Sequence, residues 1–348
     1  GPVTSATFPR TGGLFPPVRG NQPLMTDARR SDRATADHPG AEAERPAELP
    51  RSAWRQVLKR AWKESGRDNV GLLAGGVAYS AFLALVPSLI AAVLVYGLVS
   101  TPEDVARQVE ELGSALPEEA QTLLTDQMER VASAPQQGLG IGLVLALALA
   151  LWSASAGVAG LVGALNLVYD EVDERNFVKK RGLALLLTVG ALVFVAVAIG
   201  LVAVLPAVLN AVGLGTVATL AVQVVRWVGL VLAFVIALAV LYRVAPDRDS
   251  PRFRWVTPGA LVATVLWVIA SIGFSVYVDQ FGSYGDTYGP IAGVVVLLLW
   301  LFITAWVILF GGEINAESEL QTAKDTTRGE PVPMGQRDAV KADNVPER

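Results

Sequence analysis

The sequence of 348 residues contains no cysteine and only one histidine, His38. Without cysteine there can be no disulfide framework, no thiolate ligand and no cysteine nucleophile. A lone histidine excludes the His pairs that metal-free nucleases use for acid–base work, and the clustered His and Asp that hold catalytic ions. Charge is also scarce: 17% of residues are charged against 52% hydrophobic, mean hydropathy is +0.46, and the net charge of −4 points to no class of partner. The 33 glycines form neither a P-loop nor a G-x-G-x-x-G between a strand and a helix. "GLGIG" at 138–142 sits inside an apolar run, where glycine serves helix packing. No cofactor and no enzymatic activity are expected, and any transport would be passive, ion-coupled or partner-driven.

What the chain has instead is long apolar runs. Six of them, 70–99, 138–168, 182–209, 217–242, 255–278 and 288–312, exceed the eighteen or so residues that mark a bilayer span. None alternates apolar and polar residues as a β-barrel strand would. The expected fold is all-α: a polytopic bundle of six transmembrane helices, some kinked or broken, over residues 51–320. Residues 1–50 and 321–348 lack apolar periodicity and read as disordered tails. The opening Gly1-Pro2 resembles a protease scar and is set aside. No apolar core lies near the N-terminus, so no cleavable signal peptide is expected and the first span would act as the targeting signal.

Orientation follows the basic residues. Arg51, Arg55, Lys59, Arg60, Lys63 and Arg67 precede span one. Arg175, Lys179, Lys180 and Arg181 follow span two, and Arg243, Arg248, Arg252 and Arg254 follow span four. The loop 100–137 offers only Arg107 and Arg130 against eight acids, and loops 210–216 and 279–287 have no Lys or Arg. Both termini are therefore expected in the cytoplasm, in a cytoplasmic (inner) membrane.

"SAWRQVLKRAWKESGRDN" places Trp54, Val57, Leu58, Ala61 and Trp62 on one helical face and cations on the others, as in a helix lying in the membrane interface. The loop 100–137 is too long to be featureless. Thr101 and Pro102 suit a helix start, and two apolar stripes predict an external helical cap over 101–133. The second run is about 31 residues, roughly 46 Å of helix against a hydrocarbon core of about 30 Å. A bend or break near Ser153–Gly157 is expected, with Gly157, Gly160, Gly163 and Ala164 packing closely on other helices. Pro87 predicts another kink in span one.

Three separated stretches, in order, resemble one family. "LAGGVAYSAFLALVPSL", "LWSASAGVAGLVGALNLVY" and "YGPIAGVVVLLLWLFITAWVILFGGEINAE" are similar to the first, second and last span signatures of the YihY/BrkB membrane proteins, over about residues 52–318. The resemblance implies a multi-pass envelope protein. Its virulence-factor and ribonuclease labels bring no catalytic residue set.

The candidate residues come from polar groups in apolar surroundings, which default to function in a bilayer. Arg226 interrupts "VQVVRWVGLVLAF" with no charged neighbour. It could snorkel to the outer head groups or turn inward to hold an anionic group such as phosphate. It is expected to face the protein interior or outer vestibule, with Asp279 as counter-ion. Glu313 and Asn315 in "GGEINAESE" are expected to clamp the end of span six, Glu313 pairing with Arg181 or Arg243; the functional reading of Glu313 is a proton or ion site. Asn166 is expected to hydrogen-bond to Tyr79 or Ser80 on span one. The expected partners are membrane lipids and an anionic lipid or small molecule, with nucleic acid excluded and homo-oligomerisation left open. The expected function is transport of a lipid-like, amphipathic or anionic envelope substrate; the alternative is a structural or assembly role in the envelope.

Overall fold

The computed structural model describes residues 38–99, 139–204, 216–280 and 290–346. Its long elements are α1 (Arg51–Arg67), α2 (Val70–Val99), α3 (Leu139–Val168), α4 (Phe177–Ile199), α5 (Thr216–Val244), α6 (Phe253–Gln280) and α7 (Pro290–Leu320). The described residues contain no strand, only an isolated bridge between Pro251 and Thr327. Helices α2 to α7 supply six segments long and apolar enough to cross a membrane. The expected external cap 101–133 and most of the N-terminal tail, residues 1–37, lie outside the described residues.

Local chemistry sets the junctions. Asn69 joins α1 to α2 with a φ of 53°, a left-handed conformation that Asn tolerates better than most residues. Its carbonyl accepts the first-turn N–H of Leu72 at 2.7 Å and opens the helical ladder with that of Leu73 at 3.0 Å. Asp170, φ 58°, ends α3 in the same way, and the Glu171 N–H returns to the Asn166 carbonyl at 2.8 Å. Asn176 caps α4 by accepting the Lys179 N–H at 2.9 Å.

The run expected to bend or break near Ser153–Gly157 is one continuous helix, α3. Its glycines bring it close to α2 instead of breaking it. A Cβ at Gly157 would lie 3.2 Å from the Ser80 carbonyl and from Ala84 Cβ, and one at Gly160 would lie 3.5 Å from Ser80 Oγ. Pro87 likewise sits inside an uninterrupted α2.

Burial is concentrated at one end of the bundle. Val70, Ala74, Leu165, Val168, Tyr169, Tyr242, Ala260, Ala263 and Leu309 form the core there, while much of each span presents exposed Val, Leu and Ile, as lipid-facing surface would. The apolar stripe expected to lie on the membrane is divided. Ala53, Val57 and Ala61 of α1 are buried, Ala61 against Phe310 and Ile314 of α7. Leu58 and Trp62 remain exposed. Helical spacing reveals an apolar face but cannot tell whether protein or lipid covers it.

The C-terminal segment differs from the disordered tail expected over 321–348. Residues 321–346 fold across this same end. Thr322 Oγ1 donates to the Ala43 carbonyl at 2.6 Å, and backbone bonds link Ala323 to Ala41, Arg328 to Ser250 and Asp249 to Asp338. Arg337, 4% exposed, donates to the carbonyls of Ala342, Ala323 and Val332. Residues 39–50 pack here too, through Leu49 and Ala43 beside Trp255. These segments are held by polar contacts to backbone, which hydropathy does not register.

Candidate functional site

The last turns of α7, Gly311 to Glu319, are buried throughout. Gly311 and Gly259 set the approach of α7 to α6: a Cβ at Gly311 would lie 2.8 Å from the Gly259 carbonyl and 2.8 Å from Ala263 Cβ. Asn315 then spans the two helices, accepting the Gly259 N–H at 2.7 Å and donating to the Val256 carbonyl at 3.0 Å.

Below it lies a network of ion pairs. Glu317 accepts from Arg60 Nε at 2.6 Å and from Lys341 Nζ at 3.1 Å, and Lys341 also reaches Asp170 at 2.8 Å. Arg60 further donates to Gln321 Oε1 at 2.6 Å. Arg248 grips both oxygens of Glu319, at 2.7 and 3.2 Å, with side chains 1% and 0% exposed. Thr326 Oγ1 adds a donor to Glu319 at 2.8 Å, and the guanidinium stacks 4.4 Å over the Tyr169 ring. Burial opposes the charge of Lys341, but Glu317 and Asp170 outweigh it and hold its pKa above the ordinary lysine value. α7 is thereby bound to α1, to the loop after α5 and to the C-terminal segment.

Asn166 is buried at 3% exposure but does not reach span one. Its Nδ2 donates to the Val162 carbonyl at 3.0 Å, and its Oδ1 accepts the Asp247 N–H at 2.7 Å. Tyr79 is 61% exposed and takes no part, and Ser80 instead meets Gly160. The expected partner was wrong because the end of α3 projects toward the loop after α5. Asp247 then accepts the N–H groups of Glu174 and Arg175, and Arg175 Nε at 2.9 Å. Burial raises the Asp247 pKa, but these donors prevail and hold it below the usual carboxylate value.

Glu313 is 0% exposed and pairs with neither expected cation. Arg181 donates to the Trp152 carbonyl and stacks 4.0 Å over that indole, while Arg243 stacks 4.4 Å over Phe253. The charged groups that act on Glu313 are Asp68, Lys341 and Glu317, with Asp68 foremost. Both Glu313 oxygens are buried without a hydrogen-bond partner.

Arg226 lies on α5 sixteen residues before Tyr242, roughly 24 Å along the helix from the buried end. It is half-buried. One terminal nitrogen makes a long contact of 3.4 Å to the Val202 carbonyl. Its Nε is buried without a partner, and the guanidinium sits 5.1 Å from the Trp227 ring centroid. No ion pair of Arg226 occurs among the described residues. The Asp279 side chain lies outside them, and so does the expected pairing. Val202 belongs to a π-helical turn, Gly200–Val204, continuing α4.

Sequence reasoning missed Asp68, Lys341, Arg60 and Val202. Asp68 and Lys341 stand in polar stretches with no signal of their own.

The sequence model of the family described as Virulence factor BrkB matches residues 61–334. Among curated proteins, YfkH of Bacillus subtilis (strain 168), named as ribonuclease-like, is 36% identical over 171 residues, covering 48% of this chain and 62% of that protein. A UPF0761 membrane protein of Alteromonas mediterranea is 40% identical over 83 residues, covering 24% and 28%. Another from Chromobacterium violaceum is 36% identical over 86 residues, covering 25% and 20%. The chain thus spans less than two thirds of the length of each of these relatives. No solved structure matches.

Proposed function

The chain belongs to the BrkB family of integral membrane proteins, and from that premise we propose that it transports an anionic, lipid-like or amphipathic envelope substrate without an ATPase of its own. The observation that carries this reading is Arg226. A guanidinium in an apolar span is costly unless compensated, and among the described residues its compensation is one 3.4 Å contact to a backbone carbonyl and a neighbouring indole. Its planar fork suits a phosphate or carboxylate. An anionic head group entering between α4 and α5 would complete its coordination, while acyl chains could stay along the exposed apolar faces of these helices. The π-helical turn beside it fits the same reading, since irregular backbone at membrane depth tends to line a site or pack in protein.

The distribution of Lys and Arg favours a cytoplasmic membrane with both termini in the cytoplasm. On that topology the ion-pair network forms the cytoplasmic end and Arg226 lies nearer the outside. A structural role in envelope assembly is the second reading, favoured by the density of buried ion pairs around Glu317 and Glu319. A ribonuclease activity, which the name of the Bacillus relative would suggest, has little support from a chain with one histidine.

Reconstitution separates the readings. Proteoliposomes containing the purified chain are expected to move fluorescent phosphatidylglycerol between leaflets faster than empty liposomes. Equal rates for this and for other anionic amphiphiles would favour the structural reading.

A further inference from the structure

We propose that Glu313 and Asp68 form a proton-binding site at the ion-paired end of the bundle, with the proton held between their two carboxyl groups. Glu313 is fully buried and both its oxygens lack a donor. Asp68, at the junction of α1 and α2, is the charged group that acts on it most strongly. Between two carboxyl groups a hydrogen bond exists only when one is protonated, so this geometry is complete with one proton and incomplete without it.

The surrounding charges leave the proton as the fitting ligand. From the C-terminal segment, Lys341 faces the pair, but it is already divided between Glu317 and Asp170. From α7 itself, Glu317 adds negative charge and is held by Arg60. From the end of α3, Asp170 acts on Asp68, and Tyr169 presents a buried hydroxyl that also lacks a partner. From α1, Glu64 adds a further negative charge beside Asp68 and pairs with Arg67 at 2.6 Å. Arg248 is committed to Glu319. Among the described residues, the cations nearest Glu313 are thus already paired with other carboxylates, and no group of three or more acidic, His or Cys ligands able to hold a metal ion occurs.

Asp68 supplies the route. It is half-buried where Glu313 is closed off, so a proton from water would reach Asp68 first and Glu313 second. Burial, the largest influence on Asp68, raises its pKa above the ordinary value despite its contact with Glu313, which fits a relay group more than a permanently ionised one. If the chain is a transporter, as proposed above, this site couples substrate movement to a proton gradient; as a proton site it does not depend on that reading.

Infrared difference spectroscopy of the full chain in proteoliposomes tests it, with pH stepped from about 6 to about 11, above the ordinary carboxylate range. The wild-type protein is expected to lose a protonated-carboxyl band over this range. Glu313→Gln, which keeps the shape and the neutral state, should lack that band, and Asp68→Asn should shift its midpoint. Glu313→Gln with an unchanged band would overturn the proposal, as would a wild-type protein without any carboxyl band in this range or a response to sodium in place of pH. Transport is read separately. Flux driven by an imposed pH gradient in wild type and abolished in Glu313→Gln supports coupling. Absence of flux under every gradient, with the infrared band intact, refutes the transport reading and leaves the proton site standing.

Discussion

Asn315 and Gly259 are joined across α7 and α6: the Asn315 side-chain oxygen accepts the Gly259 N–H at 2.7 Å, while its amide nitrogen donates to the Val256 carbonyl at 3.0 Å. Both bonds are buried, so no water replaces them. Asn315→Leu removes two buried hydrogen bonds, each contributing about 0.5–1.5 kcal/mol. A lower denaturant midpoint in mild detergent is expected, and an unchanged midpoint would contradict the clamp.

Gly259 allows that contact. A Cβ there would lie 2.6 Å from the Asn315 side-chain oxygen and would collide with the Gly311 carbonyl. Backbone on a packed helix cannot yield as a flexible side chain can. Gly259→Ala is expected to cost at least the ~1–3 kcal/mol typical of overpacking, and to lower the yield of folded protein. Gly75→Ala, with nothing within 4 Å, serves as the control and should be neutral or better, since Ala is favoured in a helix interior by about 1 kcal/mol.

Arg248 and Glu319 form the most deeply buried ion pair among the described residues. Removing one partner of such a pair strands the other charge, at about 3–5 kcal/mol. Arg248→Met should therefore lower the unfolding midpoint strongly, and Arg248→Met with Glu319→Leu should recover much of the loss. A double variant no better than the single one would show that the pair's value lies in its contacts to Tyr169 and Thr326.

Asp247 gives the pH dependence a sign. Its folded pKa lies below its ordinary value, so its contribution is fully present above the unfolded value of about 3.9. That contribution is lost as pH falls through the lower folded value. Stability measured from neutral pH down to about pH 3 should decline less steeply in Asp247→Asn than in wild type. Parallel curves would mean that the Arg175 contact holds no differential charge.

The spans were legible because unbroken apolar runs of this length leave little alternative, and Gly157 and Gly160 revealed a close helix contact by spacing alone. Glu313 and Asn315 stood out as polar groups closing an apolar helix, and Arg226 as a charge inside one. Their partners were not legible. Asp68 sits at a helix junction and Lys341 in a segment whose composition resembles a tail, so only the folded chain brings them to α7. The Asn166 partner depended on the path of the loop after α5. The contact from Arg226 to Val202 depended on a π-helical turn, a local backbone choice that periodicity does not encode.

Arg226 carries the central claim, and one reconstitution series tests it: transfer of fluorescent phosphatidylglycerol in proteoliposomes holding equal amounts of folded wild type, Arg226→Lys and Arg226→Leu. The guanidinium account predicts fast transfer by wild type, reduced transfer by Arg226→Lys, which keeps the charge but loses the fork, and transfer near that of empty liposomes for Arg226→Leu. Full transfer by Arg226→Leu would contradict it.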